Sequence, residues 1–590
     1  MDIQKQIYKI TRSVNYKNSL GFLSSTKTWR WFMYIILLSA SLLKLLLASG
    51  QHLYIIGYAS FDDQHFINLA SYILHGQWLG PYNNMTLIKG PFYPIFLAAN
   101  HLTHLPILFS EQLFYIFSCL LFLISIYFLI NGTPQFKITK KTEYLSLAFL
   151  GLFLIFNPIS TDVEPATRVI RNGIYPSLTL ITVSLFIILL AKRKARIWKL
   201  GLVSVFTGLA FSCFWLTRED GIWLMPLIIL LVIYSALIVY SERKELVSWK
   251  WIEALLFLPL LILWFSIYSI SAINYHYYGV RATTEVQSPQ FMAAYSSLTR
   301  VKSGQWLPVI PVSKADLSAI YKVSPAFAKL KPYLQGSIGK GWVGVSESTY
   351  PQYKGQIAGG WFMWAFRDSV QAAGYYTNGP TAMNYYSTLA KQVNAACSKG
   401  KITCVASTDN LYPPLTGRYF KPFVKAMGRS FTFLTGFQQY NPTPPNISGT
   451  NQQITQFTKI TNESATNYND ENKINFLIDI GNFYQTVFPI LTYAALIFAC
   501  MLMFIKKSYK NPLFILMLLL AVGILIRMIL LSLVTVTSFP GINTLYFACA
   551  YPLLISFVFI SIVVFFVQYR YVLKGIIHFM TKKNSGQQIK

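Results

Sequence analysis

The chain has 590 residues, 54% of them hydrophobic and only 12% charged, and its mean hydropathy is positive. That composition excludes an ordinary soluble domain and fits a polytopic membrane protein. The formal charge of +29 does not describe a nucleic-acid binder, because Lys and Arg fall in short clusters between apolar runs; most of that charge is topology signal, with some left for anionic ligands.

A basic tail, residues 1–30, comes first, with Lys5, Lys9, Arg12, Lys17, Lys27 and Arg30. It lacks a small-residue cleavage site and leads into a full-length apolar run, so an uncleaved anchor is expected. A helix needs about 20 mainly apolar residues to cross a bilayer. About ten segments qualify, beginning near Trp31, Glu111, Tyr144, Ile174, Leu200, Gly221, Trp251, Phe483, Asn511 and Tyr546. Short cytoplasmic connectors are enriched in Lys and Arg, and every second connector is: Lys137, Lys140 and Lys141; Lys192, Arg193, Lys194, Arg196 and Lys199; Arg243, Lys244 and Lys250; Lys506, Lys507 and Lys510; then the tail 568–590 with Arg570, Lys574, Lys582 and Lys583. The expectation is an all-α polytopic protein of a bacterial inner membrane with both termini cytoplasmic. Residues 31–272 form an N-terminal transmembrane module whose first outer loop is 51–110. Residues 273–482 form a mixed, mainly helical extracytoplasmic domain, and 483–567 the last spans.

The outer connectors hold the chemistry. After Asp62 and Asp63, Phe66, Leu69, Ala70, Ile73, Leu74 and Trp78 recur at helical spacing, with His65, Asn68, Ser71 and His75 between them. This reads as an amphipathic helix lying along the membrane surface. One Asp then serves as a helix cap and the other as a first-turn charge, or the pair supplies a general base with a second carboxylate that orients it or holds a cation. Lys89 follows, fixed before a Pro-rich turn.

Arg168 and Arg171 stand three apart, the spacing at which a helical turn would aim both at one phosphate. Arg218, Glu219 and Asp220 make a short turn dense in charge: self-neutralising salt bridges, or acceptor-positioning groups, with Glu219 or Asp220 joining Asp62 around a divalent cation. Lys44 and Arg527 are ionisable groups inside spans, on the outer half by the topology, where such groups mark ligand pathways. His52, His65, His75, His101 and His104 crowd the first loop without a telling third-ligand spacing, so a zinc site is not favoured. Ala382, Met383, Tyr385, Tyr386, Leu389, Ala390, Val393 and Ala396 form a helical stripe that reads as packing. Cys397 and Cys404 share a polar region and are the disulfide candidates. Trp342, Trp361 and Trp364 are read as core or as sugar-stacking rings.

An acid pair in the first outer loop, a surface helix ending in Gly76-Gln-Trp78, then Lys89-Gly-Pro-Phe-Tyr-Pro before the second span resembles the GT-C glycosyltransferases that use polyprenyl-phosphate sugars, particularly the protein O-mannosyltransferases and the aminoarabinose transferase of lipid A. The resemblance covers about the first 230 residues. It implies a catalytic base or acceptor-positioning role for Asp62, shared with Asp63, and a donor-phosphate contact for Lys89. From their spacing and placement, Arg168, Arg171 or Arg527 are expected to help Lys89 hold that phosphate. Near the end, Tyr546-Phe-Ala-Cys-Ala-Tyr-Pro is similar to that family's Arg-Tyr…Pro segment, with Leu545 where Arg is usual. The expected activity is transfer of a sugar from a polyprenyl-phosphate donor to an extracytoplasmic hydroxyl on a glycan, lipid or protein. The alternatives from other classes are a lipid-linked saccharide flippase and a non-catalytic membrane assembly subunit.

Overall fold

The computed structural model describes residues 26–132, 138–407, 410–505, 508 and 511–584, with side chains described as far as residue 569. Lys5, Lys9, Arg12, Lys17, Lys137, Lys506, Lys507 and Lys510 lie outside the described residues, as do the side chains of Arg570, Lys574, Lys582 and Lys583.

Among the described residues the chain is helical, its β-pairing confined to two isolated bridges. Eight helical segments are long and apolar enough to cross a membrane: Thr26–Ala48, Ile107–Asn131, Ile197–Thr217, Gly221–Ser241, Trp249–Tyr278, Glu471–Phe504, Pro512–Thr537 and Thr544–Tyr569. The other two of the ten expected spans, Lys140–Ile155 and Tyr175–Ala191, are helices of 16 and 17 residues, rising about 24–26 Å at 1.5 Å per residue. They nonetheless run from one end of the bundle to the other. Arg168, between them, pairs at 2.6 Å with Asp63 of the first outer loop. Arg193, after them, pairs at 2.7 Å with Glu242 of the next basic connector. The alternation read from charge thus sorts these connectors to opposite ends of the bundle.

Tyr175–Ala191 is short because it is interior: 15 of its 17 residues are buried, and a helix apolar all round is satisfied by protein on every side. It packs between Ile107–Asn131 and Ile197–Thr217. The latter closes on Trp249–Tyr278 at Gly208, where an added Cβ would sit 2.6 Å from the Ile262 side chain; small residues at such crossings let membrane helices approach.

A second core forms outside the bundle. It runs from Tyr278 to Val393 and takes in Leu69, Leu79, Leu87 and Ile88 of the first outer loop. The helix Gly379–Ser398 buries the stripe from Ala382 to Ala396, the packing role expected of it, and Cys397 and Cys404 close the following turn as a disulfide.

Two features differ from the sequence reading. Residues 273–482 are not one domain. Helix Phe420–Thr435 buries Ala426, Ser430, Phe433 and Leu434 against Pro512–Thr537, with the Ser430 and Ser532 hydroxyls 2.8 Å apart. Helix Asn451–Thr461 packs on Asp63–Leu74 and Phe92–Thr103. Their apolar faces belong to the bundle and its collar, which hydropathy alone does not separate from a neighbouring domain. The helix Asp63–Leu74, expected along the membrane surface, is instead enclosed. Phe66, Ile67 and Ala70 join the bundle core, Leu69 joins the outer core, and polar Gln64 and Asn68 bond to Gln456.

Candidate active site

Asp62 occupies the N-cap position of Asp63–Leu74, yet its side chain makes no capping bond. Both carboxylates are directed at cations instead, so the structure disfavours capping as the reason for the pair. Asp62 accepts a hydrogen bond from Lys89. The two differ in environment: the Lys89 side chain is 6% exposed and that of Asp62 57%. Beneath the ammonium lies the Phe66 ring, its centroid 4.9 Å away. Asp63 is fully buried and is forked by Arg168, through Nε at 3.2 Å and Nη2 at 2.6 Å, while Arg168 Nη1 reaches Glu164 at 2.6 Å.

The position of Lys89 is fixed from behind. Glu219 Oε1 accepts the Gly90 N–H at 2.8 Å and Arg171 Nη1 at 2.6 Å. A Cβ on Gly90 would lie 2.1 Å from the Leu216 carbonyl oxygen, so only glycine permits this approach of the loop to the end of Ile197–Thr217. Beside it, Asp220 is forked by Arg218 at 2.8 and 3.1 Å and met by Arg527 at 2.7 Å. Arg527 also donates to the Tyr546 carbonyl oxygen at 3.1 and 2.7 Å. A guanidinium from the preceding span thus reaches the segment where Leu545 replaces the expected Arg. Asn172 ties the two halves, accepting from Arg218 at 3.0 Å and donating to the Leu545 carbonyl at 2.6 Å.

All nine charged residues singled out from the outer connectors and the Pro512–Thr537 span therefore meet at one end of the bundle. Arg168 and Arg171 do not fork a common anion, as their spacing suggested. Their segment is not helical, and they turn to different acids. Lys44 stays outside the cluster, donating to Ser160 Oγ at 2.7 Å. Asp62, Glu219 and Asp220 each face a different protein cation, and among the described residues no group of three His, Cys, Asp or Glu side chains is placed to hold a metal. The arrangement does not fit the divalent cation the sequence allowed.

Electrostatics separate the two adjacent acids. Burial would raise Asp62, but the Lys89 ammonium, helped by Arg168 and Arg171, holds it down at about 2. For Asp63 burial prevails over Arg168 and the carboxyl is raised. Burial also pushes Lys89 below its ordinary value despite Asp62, which leaves the ammonium under-compensated and receptive to a second anion. Asp220 is held well below the usual carboxylate range: burial opposes ionisation, and Arg218 and Arg527 overcome it.

Three features escaped the sequence reading. Phe61, next to Asp62, lies edge-on to Trp342 and Trp364 of the outer domain, with centroids 5.2 and 4.9 Å away; two of the three flagged Trp thus brace the loop. Arg367 and Glu285, both wholly buried, form an ion pair that also binds the loop ahead of Lys89. Arg367 donates to the Asn84 carbonyl, the Glu285 carboxylate accepts from Tyr82 at 2.8 Å, and the Glu285 N–H donates to the Leu87 carbonyl at 2.7 Å. Lastly, His65 is pushed down to about 3 by burial, with Lys89 adding to the effect, so it stands neutral beside the cluster. Its Nε2 has no hydrogen-bond partner among the described residues. Only an Arg-Asp pair after an aromatic run, Trp364-Ala-Phe-Arg-Asp, signalled any of this in advance.

No family model matches the sequence, and no curated protein matches it. Among solved structures the chain is similar to ArnT from Cupriavidus metallidurans in the apo state, at 12% identity and a TM-score of 0.27, over 92% of this chain and 78% of the other. It is similar to the same protein bound to undecaprenyl phosphate at the same identity and TM-score, over 91% and 77%.

Proposed function

We propose that the chain is an integral membrane glycosyltransferase that moves a sugar from a polyprenyl-phosphate donor to a hydroxyl acceptor on the outer face of a bacterial inner membrane. The observation that carries this reading is the pairing of a buried, under-compensated Lys89 with an exposed Asp62 inside a ring of arginines. A phosphate-bearing donor needs the first, and an approaching hydroxyl needs the second.

The five cations Lys89, Arg168, Arg171, Arg218 and Arg527 face five carboxylates, Asp62, Asp63, Glu164, Glu219 and Asp220. The resting cluster is thus balanced, and an incoming phosphodiester must draw a cation from its partner. Lys89 is held by an exposed carboxylate alone, whereas Arg168, which also meets exposed Glu164, is anchored by buried Asp63. Once its ammonium turns to the phosphate, Asp62 loses the charge that held its pKa low and becomes a competent base. The acceptor oxygen then attacks C1 of the sugar, its proton passes to Asp62, and the bond from C1 to the phosphate oxygen breaks with inversion. The departing polyprenyl phosphate gains negative charge next to Lys89 and Arg171, already in place to stabilise it. In this scheme Asp63 and Glu219 are positioning residues: they hold Arg168, Arg171 and the backbone of Lys89.

The test is incubation of the purified protein with a panel of radiolabelled polyprenyl-phosphate sugars. Transfer to an acceptor, or donor hydrolysis in its absence, supports the reading. A protein that binds or moves these lipids across vesicles without breaking the sugar-phosphate bond would be a flippase, and one that does neither an assembly subunit.

A further inference from the structure

A second cavity lies on the bundle's outer collar, between the end of Thr26–Ala48, the start of Ile107–Asn131 and the segment 463–468. Its volume is about 530 Å³. One wall is apolar, built by Leu45, Leu53, Leu105, Leu108 and Phe109. Leu105 and Phe109 remain 41% exposed, on the stretch leading into a membrane-crossing helix, so this wall opens toward lipid. The polar part of the lining includes Gln51, His52, Gln112, Glu463, Ser464 and Thr466.

Among the described residues no Lys or Arg lines the cavity. Glu463 has no ion-pair partner among the described residues; one oxygen accepts the Leu108 N–H at 2.9 Å at the start of Ile107–Asn131. Burial holds its carboxyl up at about 7. One helical turn further along that helix, Gln112 is 5% exposed, its amide N–H₂ donates to the Ser160 carbonyl, and its Oε1 has no partner among the described residues. A buried acceptor left without a donor forfeits the hydrogen bond it had in water. Ser49, part of the lining, accepts from Lys473 at 3.2 Å.

We infer that this cavity binds an outer-leaflet phospholipid with a primary-amine headgroup, its ammonium donating to Glu463 and to Gln112 Oε1 and its chain lying along the Leu45–Phe109 wall. A primary ammonium has three N–H donors, so one can serve Glu463 while another serves the Gln112 oxygen. A trimethylated headgroup carries the same charge but no N–H. The site is opposite in sign to the Lys89 cluster and does not depend on the sugar-transfer reading.

Native mass spectrometry of the detergent-purified full chain tests it, with phosphatidylethanolamine, phosphatidylcholine and phosphatidylglycerol of identical acyl chains. Two charge-assisted hydrogen bonds predict retention of phosphatidylethanolamine about tenfold above phosphatidylcholine. Glu463→Gln and Gln112→Met should each bring it toward the phosphatidylcholine level, while Lys425→Gln, on an exposed helix face elsewhere, leaves it unchanged. If Glu463→Gln fails to fold, Gln112→Met decides alone. Equal retention of the amine and trimethylated lipids, preference for phosphatidylglycerol, or full retention in Gln112→Met overturns the inference. So does binding of free ethanolamine as tight as that of the lipid.

Discussion

Replacing Arg367 by Met is the sharpest probe of how the outer domain holds the site. In the native protein Arg367 and Glu285 are wholly buried together. Without the guanidinium, the Glu285 carboxylate faces neutral hydroxyls, those of Tyr82, Tyr376 and Tyr386. Breaking a buried pair from one side costs about 3–5 kcal/mol, which at 1.36 kcal/mol per tenfold is about two to four powers of ten in a local opening equilibrium. The Glu285 amide reports that opening, because it is bonded to the Leu87 carbonyl two residues before Lys89. Hydrogen exchange of the detergent-solubilised protein should therefore show this amide exchanging at least about 100-fold faster in Arg367→Met. Adding Glu285→Gln removes the stranded charge and should restore most of the protection. Native exchange rates in the single variant, or no recovery in the double one, would refute the claim that this pair locks the first outer loop to the domain.

Asp63→Asn removes the buried end of the Arg168 fork and should lower folded yield by the same physics, whereas Asp62→Asn, at an exposed position that caps nothing, should express normally; size-exclusion profiles compare them. Gly90→Ala should cost about tenfold or more in transfer without loss of folded protein, because its Cβ has to displace Lys89 or the Leu216 carbonyl; native turnover would show that this approach is not tight. The pH dependence follows from Asp62, held at about 2. A depressed carboxyl lends stability that is present above its unfolded value near 4 and lost as pH falls through about 2, so Asp62 contributes no pH dependence of folding above about pH 5. In turnover, kcat/KM reflects the free protein and should show no acid limb from Asp62 above about pH 4; the kcat limb should lie higher once phosphate competes for Lys89. Coincident limbs for kcat and kcat/KM would show that Lys89 does not release Asp62.

The spans were legible because hydrocarbon demands long apolar runs, and which connectors share an end of the bundle was legible because they alternate in Lys and Arg. Both are local signals. The partners were not legible: Asp63 and Arg168 are 105 residues apart, and Asp220 and Arg527 are 307 apart, so nothing in either neighbourhood announces the pair. The Arg168 and Arg171 spacing misled because a three-residue interval carries meaning only on a helix, and this segment is held as a loop by its side-chain pairs. Tyr175–Ala191 gave a strong apolar signal but not its depth, since a helix enclosed by protein and one facing lipid have the same composition. Helix Phe420–Thr435 was assigned to the outer domain because its amphipathic face names no partner; only packing against Pro512–Thr537 reveals which core it serves.

The central claim is that Asp62 accepts a proton from the acceptor while Lys89 takes the donor's phosphate. The most direct measurement pairs two readouts on Asp62→Asn in proteoliposomes: equilibrium binding of a labelled polyprenyl-phosphate sugar, and its transfer to acceptor. The account predicts donor binding at least as tight as in the native protein, because Lys89 has been freed, with transfer reduced about 10²–10⁴-fold. Unchanged transfer, or binding lost together with transfer, would contradict it.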